Sequence, residues 1–236
     1  MQVQNTYPPL NFEGKVKFKR ASLFDRKKLC SFGVEHKEFG HLEVATKRTH
    51  KGRYLITIIN PANTRLSKES FCMTNNDIYG VSIKTGEPYR RKQLGEITRL
   101  ASIITMLKNG LKEINILSLN DAALFHSKYK FEPYITDRHS AVIILKNIAS
   151  SNILKFTDRV KVILEQLRKT DNTEELLKSA NEIVSEFIEH VQKVEPQQKN
   201  HFQHWGLSMR LTRENVVQNK DFFNTLFAKH DIDYKI

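Results

Sequence analysis

Residues 84–110 read KTGEPYRRKQLGEITRLASIITMLKNG, and their organisation decides the fold. Asp77 to Lys84 has the make-up of a strand, and a short turn with Gly86 and Pro88 follows it. Then comes Arg90-Arg91-Lys92-Gln93-Leu94-Gly95, after which Ile97, Leu100, Ala101, Ile104 and Leu107 recur at the spacing of an amphipathic helix. Asn109-Gly110 supplies a helix stop. A loop feeding a helix amino terminus gathers free backbone N–H groups and the positive end of the helix dipole, which is a site for phosphate. Three cationic side chains reinforce it, and Gly95 admits close approach. Neither the GxxxxGK nor the GxGxxG spacing is present, so a nucleotide P-loop and the dinucleotide fingerprint are excluded.

Working outward, residues 15 to 20 alternate as a first strand, and Ser22 to Phe39 suggests one or two short helices. His41 to Lys47 and Arg53 to Asn60 form a hairpin pair ended by Asn60-Pro61, and a polar loop leads to Asp77. Beyond the central helix, Ile114 to Leu119 is an apolar run expected to be buried on both faces. Asp121 to Tyr129 suits a helix and Ala141 to Lys146 a strand. The order gives an α/β class with a mixed central sheet flanked by helices over residues 12–149. After residue 150 strand signals vanish. Stripes at Ile153, Phe156, Val160, Ile163, Leu164 and Leu167, then from Leu176 to Val191, predict two antiparallel helices, with Asp171 and Glu174 as a capping box between them. Phe222, Phe223 and Phe227 close an all-helical extension, 150–236, as a further helix packed on that pair.

The formal charge is +12, and residues 151–236 carry thirteen basic and thirteen acidic side chains, so the whole excess lies in residues 1–150. A polyanionic small molecule accounts for a field so placed, and nucleic acid is not required. No apolar run approaches the roughly 20 residues of a membrane span, and the polar, proline-bearing start lacks a secretory signal, so a cytoplasmic address is expected. Cys30 and Cys72 show no metal or disulfide spacing, and His201 with His204 lacks further ligands, so no metal is expected.

The loop resembles the coenzyme-binding signature of the GNAT superfamily of acyl-coenzyme A N-acyltransferases: Arg90 matches its first position and Gly95 its last, with Gln93 where the family has glycine. About 35 residues on, Leu-Ser-Leu-Asn-Asp-Ala-Ala-Leu-Phe-His-Ser-Lys-Tyr-Lys-Phe-Glu-Pro, from Leu117 to Pro133, is similar to the family's following helix, with Ala122, Phe125, Lys128 and Phe131 in register. The resemblance implies acetyl-coenzyme A, or another acyl-coenzyme A, as donor and an amine, on a small molecule or a protein, as acceptor. It implies donor contacts at Arg90, Arg91, Lys92, Gln93, Leu94, Gly95 and Glu96, at Asn120 and Lys128, and along the backbone of Val81, Ser82 and Ile83. His126 falls where the family has the tyrosine that protonates the departing thiolate, and Asp77 and Tyr79 are the nearest candidates for a base.

Glu96-Ile97-Thr98-Arg99-Leu100-Ala101 also looks like a run in acyl-homoserine lactone synthases and related N-acyl amino acid synthases, which draw on acyl carrier protein; the plain reading is an i, i+3 ion pair. A GNAT-like binding module without catalysis is the third reading. The extension's apolar stripes pack within the chain, pair with a second copy, or bind a partner.

Overall fold

The computed structural model describes residues 28–49, 53–119, 122–151, 153–194 and 206–236. In chain order these form β1 (Lys28–His36), β2 (Gly40–Arg48), β3 (Tyr54–Ile59), β4 (Arg65–Met73), β5 (Asp77–Thr85), α1 (Leu94–Lys108), β6 (Glu113–Leu119), α2 (Ala122–Ser127), β7 (Glu132–Pro133) and α3 (Arg138–Ser150). Then follow α4 (Leu154–Lys169), α5 (Glu174–Val194), β8 (Gly206–Thr212), α6 (Arg213–Gln218) and α7 (Lys220–Lys229). The class is α/β, strands flanked by helices. The chain divides into two compact units, residues 1–112 with 213–236, and residues 113–212.

In the first unit β1 to β5 form an antiparallel meander, each strand pairing with the next. The expected hairpin is β2 with β3. Residues 28–36 form a strand where short helices were expected, because Cys30 and Val34 point inward with period two along β2. The expected polar loop before Asp77 is in fact β4. Its inward residues include Ser67 and Glu69 beside Leu66 and Phe71, so no apolar alternation advertises it. The strand expected at residues 15 to 20 lies outside the described residues.

α1 begins at Leu94 and is buried on nearly every side rather than along one stripe. Its polar residues tolerate this because Thr98 and Thr105 donate back to the carbonyls of Leu94 and Ala101. Side-chain contacts then join it to the strands. Thr105 meets Thr46 at 3.2 Å, Thr98 meets Ser67 at 3.2 Å, and Arg99 pairs with Glu69 at 3.1 Å. Ser102 donates to the other Glu69 oxygen, so the carboxylate is held on both sides.

In the second unit β8 pairs antiparallel with β6 and with β7. Gly206–Thr212 is thus a strand within the segment expected to be all helix; Leu207, Met209 and Leu211 alternate inward. β6 buries Ile114, Ile116 and Ser118 but leaves Leu117 and Leu119 exposed, so burial on both faces does not hold. Residues 141–146 are the middle of helix α3, not a strand. Asp137 caps it, accepting from the Ser140 N–H at 2.8 Å, and Ala141, Ile144, Leu145 and Ile148 then make one buried face. The two long helices α4 and α5 form as expected. Leu177 N–H donates to the Thr173 carbonyl, which puts the start of α5 at Thr173 rather than at an Asp171 box. Their stripes meet within the unit, Phe156 edge-on to Phe187 and Arg159 bidentate to Glu186. The helix carrying Phe222, Phe223 and Phe227 is α7, which belongs to the first unit and not to the one holding α4 and α5. No helix among the described residues is long and apolar enough to cross a membrane.

Candidate functional site

The turn from β5 into α1 has the geometry of an anion cradle. After a single 3-10 turn at Glu87–Tyr89, Arg91 lies at φ 62° and Gln93 at φ 59°, with Lys92 between them outside the left-handed region. Such alternation folds successive N–H groups toward one concave side. The first N–H that α1 places on Gln93 is that of Glu96, so Lys92, Gln93, Leu94 and Gly95 keep N–H groups with no backbone acceptor among the described residues. Gln93 therefore stands at a conformation that glycine adopts without cost, which explains a glycine at that position in the resembling motif. Leu94 and Gly95 are already helical, Leu94 anchoring the start at 1% exposure.

The hairpin turn between β1 and β2 holds this loop. His36 Nε2 donates to the Lys92 carbonyl at 2.9 Å while its Nδ1 accepts from Glu38 N–H, which fixes the tautomer. Glu38 in turn pairs with Lys92 Nζ at 2.7 Å. Phe39 stacks on His36 and meets Tyr89 edge-on. Lys92 is thus partly neutralised, and Arg90 and Arg91 are exposed, Arg90 lying 3.6 Å from Glu87. Glu96 faces α7, paired with Lys229 at 2.6 Å and with His230 Nε2. Arg99, for its part, pairs with Glu69.

Upstream, β5 carries a bulge. Gly80 pairs with Phe71 and Ser82 with Ser70, so Val81 is the extra residue and its peptide groups leave the regular ladder. Val81, Ser82 and Ile83 are the residues whose backbone the resemblance implies for the donor, and the bulge among them depends on the partner strand rather than on this segment. Asp77 and Tyr79 share a face two residues apart, with Tyr79 hydroxyl donating to Asp77 Oδ2 at 3.4 Å and its ring 45% exposed.

The remaining candidates lie in the second unit. His126 is 7% exposed; its ring packs against Phe125 and Phe131, and its carbonyl accepts from Tyr129 and Phe131. Lys128 is exposed beyond the end of α2. Asn120, His201 and His204 lie outside the described residues. Among the described residues no group of three or more His, Cys, Asp or Glu is arranged to hold a metal.

No protein-family model matches the chain, and no curated protein matches it. Among solved structures it is similar to a GNAT-family acetyltransferase from Staphylococcus aureus Mu50, at 17% identity over 36% of this chain and 56% of that one, with TM-score 0.33. It is also similar to nourseothricin acetyltransferase, at 10% identity over 44% of this chain and 72% of that one, with TM-score 0.31. The chain spans just over half the length of the first of these.

Proposed function

We propose that the chain is an N-acyltransferase that takes an acyl group from acyl-coenzyme A, acetyl-coenzyme A being the simplest donor, and places it on an amine. One observation carries this reading: a strand bulged at Val81 runs into a cationic turn whose N–H groups at Lys92 to Gly95 have no backbone acceptor among the described residues. The residues present fit a pyrophosphate. Lys92, Gln93, Leu94 and Gly95 offer N–H donors, and Arg90 and Arg91 bring mobile positive charge to its oxygens. The coenzyme supplies a thioester, which activates the acyl carbonyl toward nitrogen.

In this reading the peptide N–H freed at the bulge donates to the acyl oxygen and stabilises the negative charge that builds there as the amine attacks. The C–N bond forms, the C–S bond breaks, and the amine loses one proton as the thiolate gains one. Tyr79 and Asp77, exposed on β5 just before the bulge, are the proposed acceptors of the amine proton. His126 sits among aromatic rings with little solvent access, and we assign it packing rather than proton transfer.

Isothermal titration with acetyl-coenzyme A tests the reading. Binding is expected, and Arg90→Glu with Arg91→Glu should weaken it at least about tenfold, since each removes a charge-assisted contact and adds repulsion. No detectable binding, or binding indifferent to the double variant, would sink the coenzyme claim. The His126 assignment has its own check: His126→Phe should retain turnover on any amine the enzyme accepts.

A further inference from the structure

The paired ends of β4 and β5 border a groove of about 300 Å³ lined by Arg65, Leu66, Ser67, Lys68, Lys84, Thr85 and Gly86. It shares no residue with the turn at 90–95. Lys68 and Lys84 stand directly opposite one another in the ladder. Like charges so placed repel and cost the sheet stability. In the first unit Lys92 pairs with Glu38, Arg99 with Glu69 and Lys229 with Glu96. Arg65, Lys68 and Lys84 have no carboxylate partner among the described residues. Ser67, 1% exposed, turns its hydroxyl to Thr85 at 3.1 Å and to Thr98 of α1 at 3.2 Å, on the face opposite the two lysines. A groove bordered by three unbalanced cations, two of them in an otherwise unfavourable register, is organised for an anion.

We propose that this groove is a second anion site and that it takes a phosphate group. Three cations match a dianion rather than a single carboxylate, and the volume admits a phosphate together with the group that bears it. The phosphate has two possible sources of the same chemistry, the ribose phosphate of the coenzyme or a separate phosphorylated small molecule. Only the first rests on the acyltransferase reading.

The test is an amide chemical-shift titration of the full chain with inorganic phosphate at low ionic strength. Saturable shifts are expected at residues 65–68 and 84–86, weakened by added sodium chloride. The double variant Lys68→Gln, Lys84→Gln should lose affinity roughly tenfold or more. It removes a repulsion, so its melting temperature should hold or rise, which separates lost binding from lost folding. Shifts that never saturate, or an affinity unchanged in the double variant, would overturn the site. A second arm compares coenzyme A with and without its ribose phosphate. A preference for the phosphorylated form that disappears in the double variant supports the groove with the coenzyme as source. A preference that is absent or survives, alongside weakened inorganic phosphate binding, supports the groove with a separate ligand. Failure of both coenzymes to bind would count against the proposed function and leave the inorganic phosphate result standing.

Discussion

Glu69 and Arg99 are each 1% exposed, and neither could be there without the other. A charge taken from water loses several kcal/mol of hydration, which the 3.1 Å contact and the Ser102 hydroxyl offset only while both ions are present. Glu69→Ala should therefore destabilise the chain by about 3–5 kcal/mol, read from the denaturant midpoint, whereas replacing both ions by apolar residues of similar volume should restore much of the loss. An arginine in the middle of the apolar run from Ile97 to Leu107 was the available signal for such a pair. Its partner lay on a strand that composition concealed. The two cysteines make a second prediction at this scale. Burial pushes the Cys30 thiol up from 9.0 to about 12, Lys108 opposing in part, while Cys72 is exposed. A thiol reagent should label one cysteine in the native chain and two after unfolding. The unfolded chain releases the Cys30 proton near 9 and the folded chain only near 12. Its contribution is thus complete below 9 and lost as pH rises toward 12. The alkaline fall in urea midpoint should be smaller in Cys30→Ala.

At the scale of the element, α3 shows how a local contact overrules a local preference. Ala141-Val142-Ile143-Ile144-Leu145 is β-branched enough to read as a strand. The Asp137 cap and the helical spacing of Ala141, Ile144, Leu145 and Ile148 against the rest of the unit decide otherwise. Asp137→Ala should cost about 1 kcal/mol. The Ser140 N–H holds the Asp137 carboxyl below its ordinary value, so this contribution is present above the unfolded carboxylate pKa and is lost as pH falls through the lower folded value. A melt of wild type and variant at neutral and strongly acidic pH checks both parts, and the two should converge in acid. The same competition separates what was legible from what was not. β2, β3, β5, α1, α4 and α5 carry their period in the sequence and appear where it puts them. β4 turns Ser67 and Glu69 inward to Thr98 and Arg99 of α1, and β8 pairs with β6 across the two long helices, so neither shows its strand character in its own segment. The turn at 90–95 was readable from its cations and its place before a helix. The bulge at Val81 and the facing lysines at 68 and 84 are products of register, which no single segment encodes.

The first unit is discontinuous in sequence, residues 213–236 joining residues 1–112, and this gives its stability a dependence on the end of the chain. Arg213 N–H donates to the Lys112 carbonyl where the segment returns. Phe223 and Phe227 are fully buried, Phe227 meets Tyr234 edge-on, and Lys108 of α1 lies 5.4 Å from the Tyr234 ring. Lys229 and His230 then close on Glu96 in the first turn of α1, next to the proposed coenzyme turn. Burying a large apolar side chain is worth roughly 1.5–3 kcal/mol, so these three aromatic residues together are comparable with the lower part of a domain's net stability of about 5–15 kcal/mol. A chain ending at Thr212 should consequently lose protected structure in β1 to β5 and α1, not merely fray at its end. Hydrogen exchange read residue by residue distinguishes the two: rapid exchange across Cys30 to Lys108 is expected, whereas native protection there would show residues 213–236 to be an appendage. Because Glu96 is the point of attachment nearest the cationic turn, the milder variant His230→Ala should loosen that turn while leaving the meander folded. It should appear first as weaker coenzyme binding and faster exchange at Glu96 and Ile97, whose N–H groups bond to the Gln93 carbonyl.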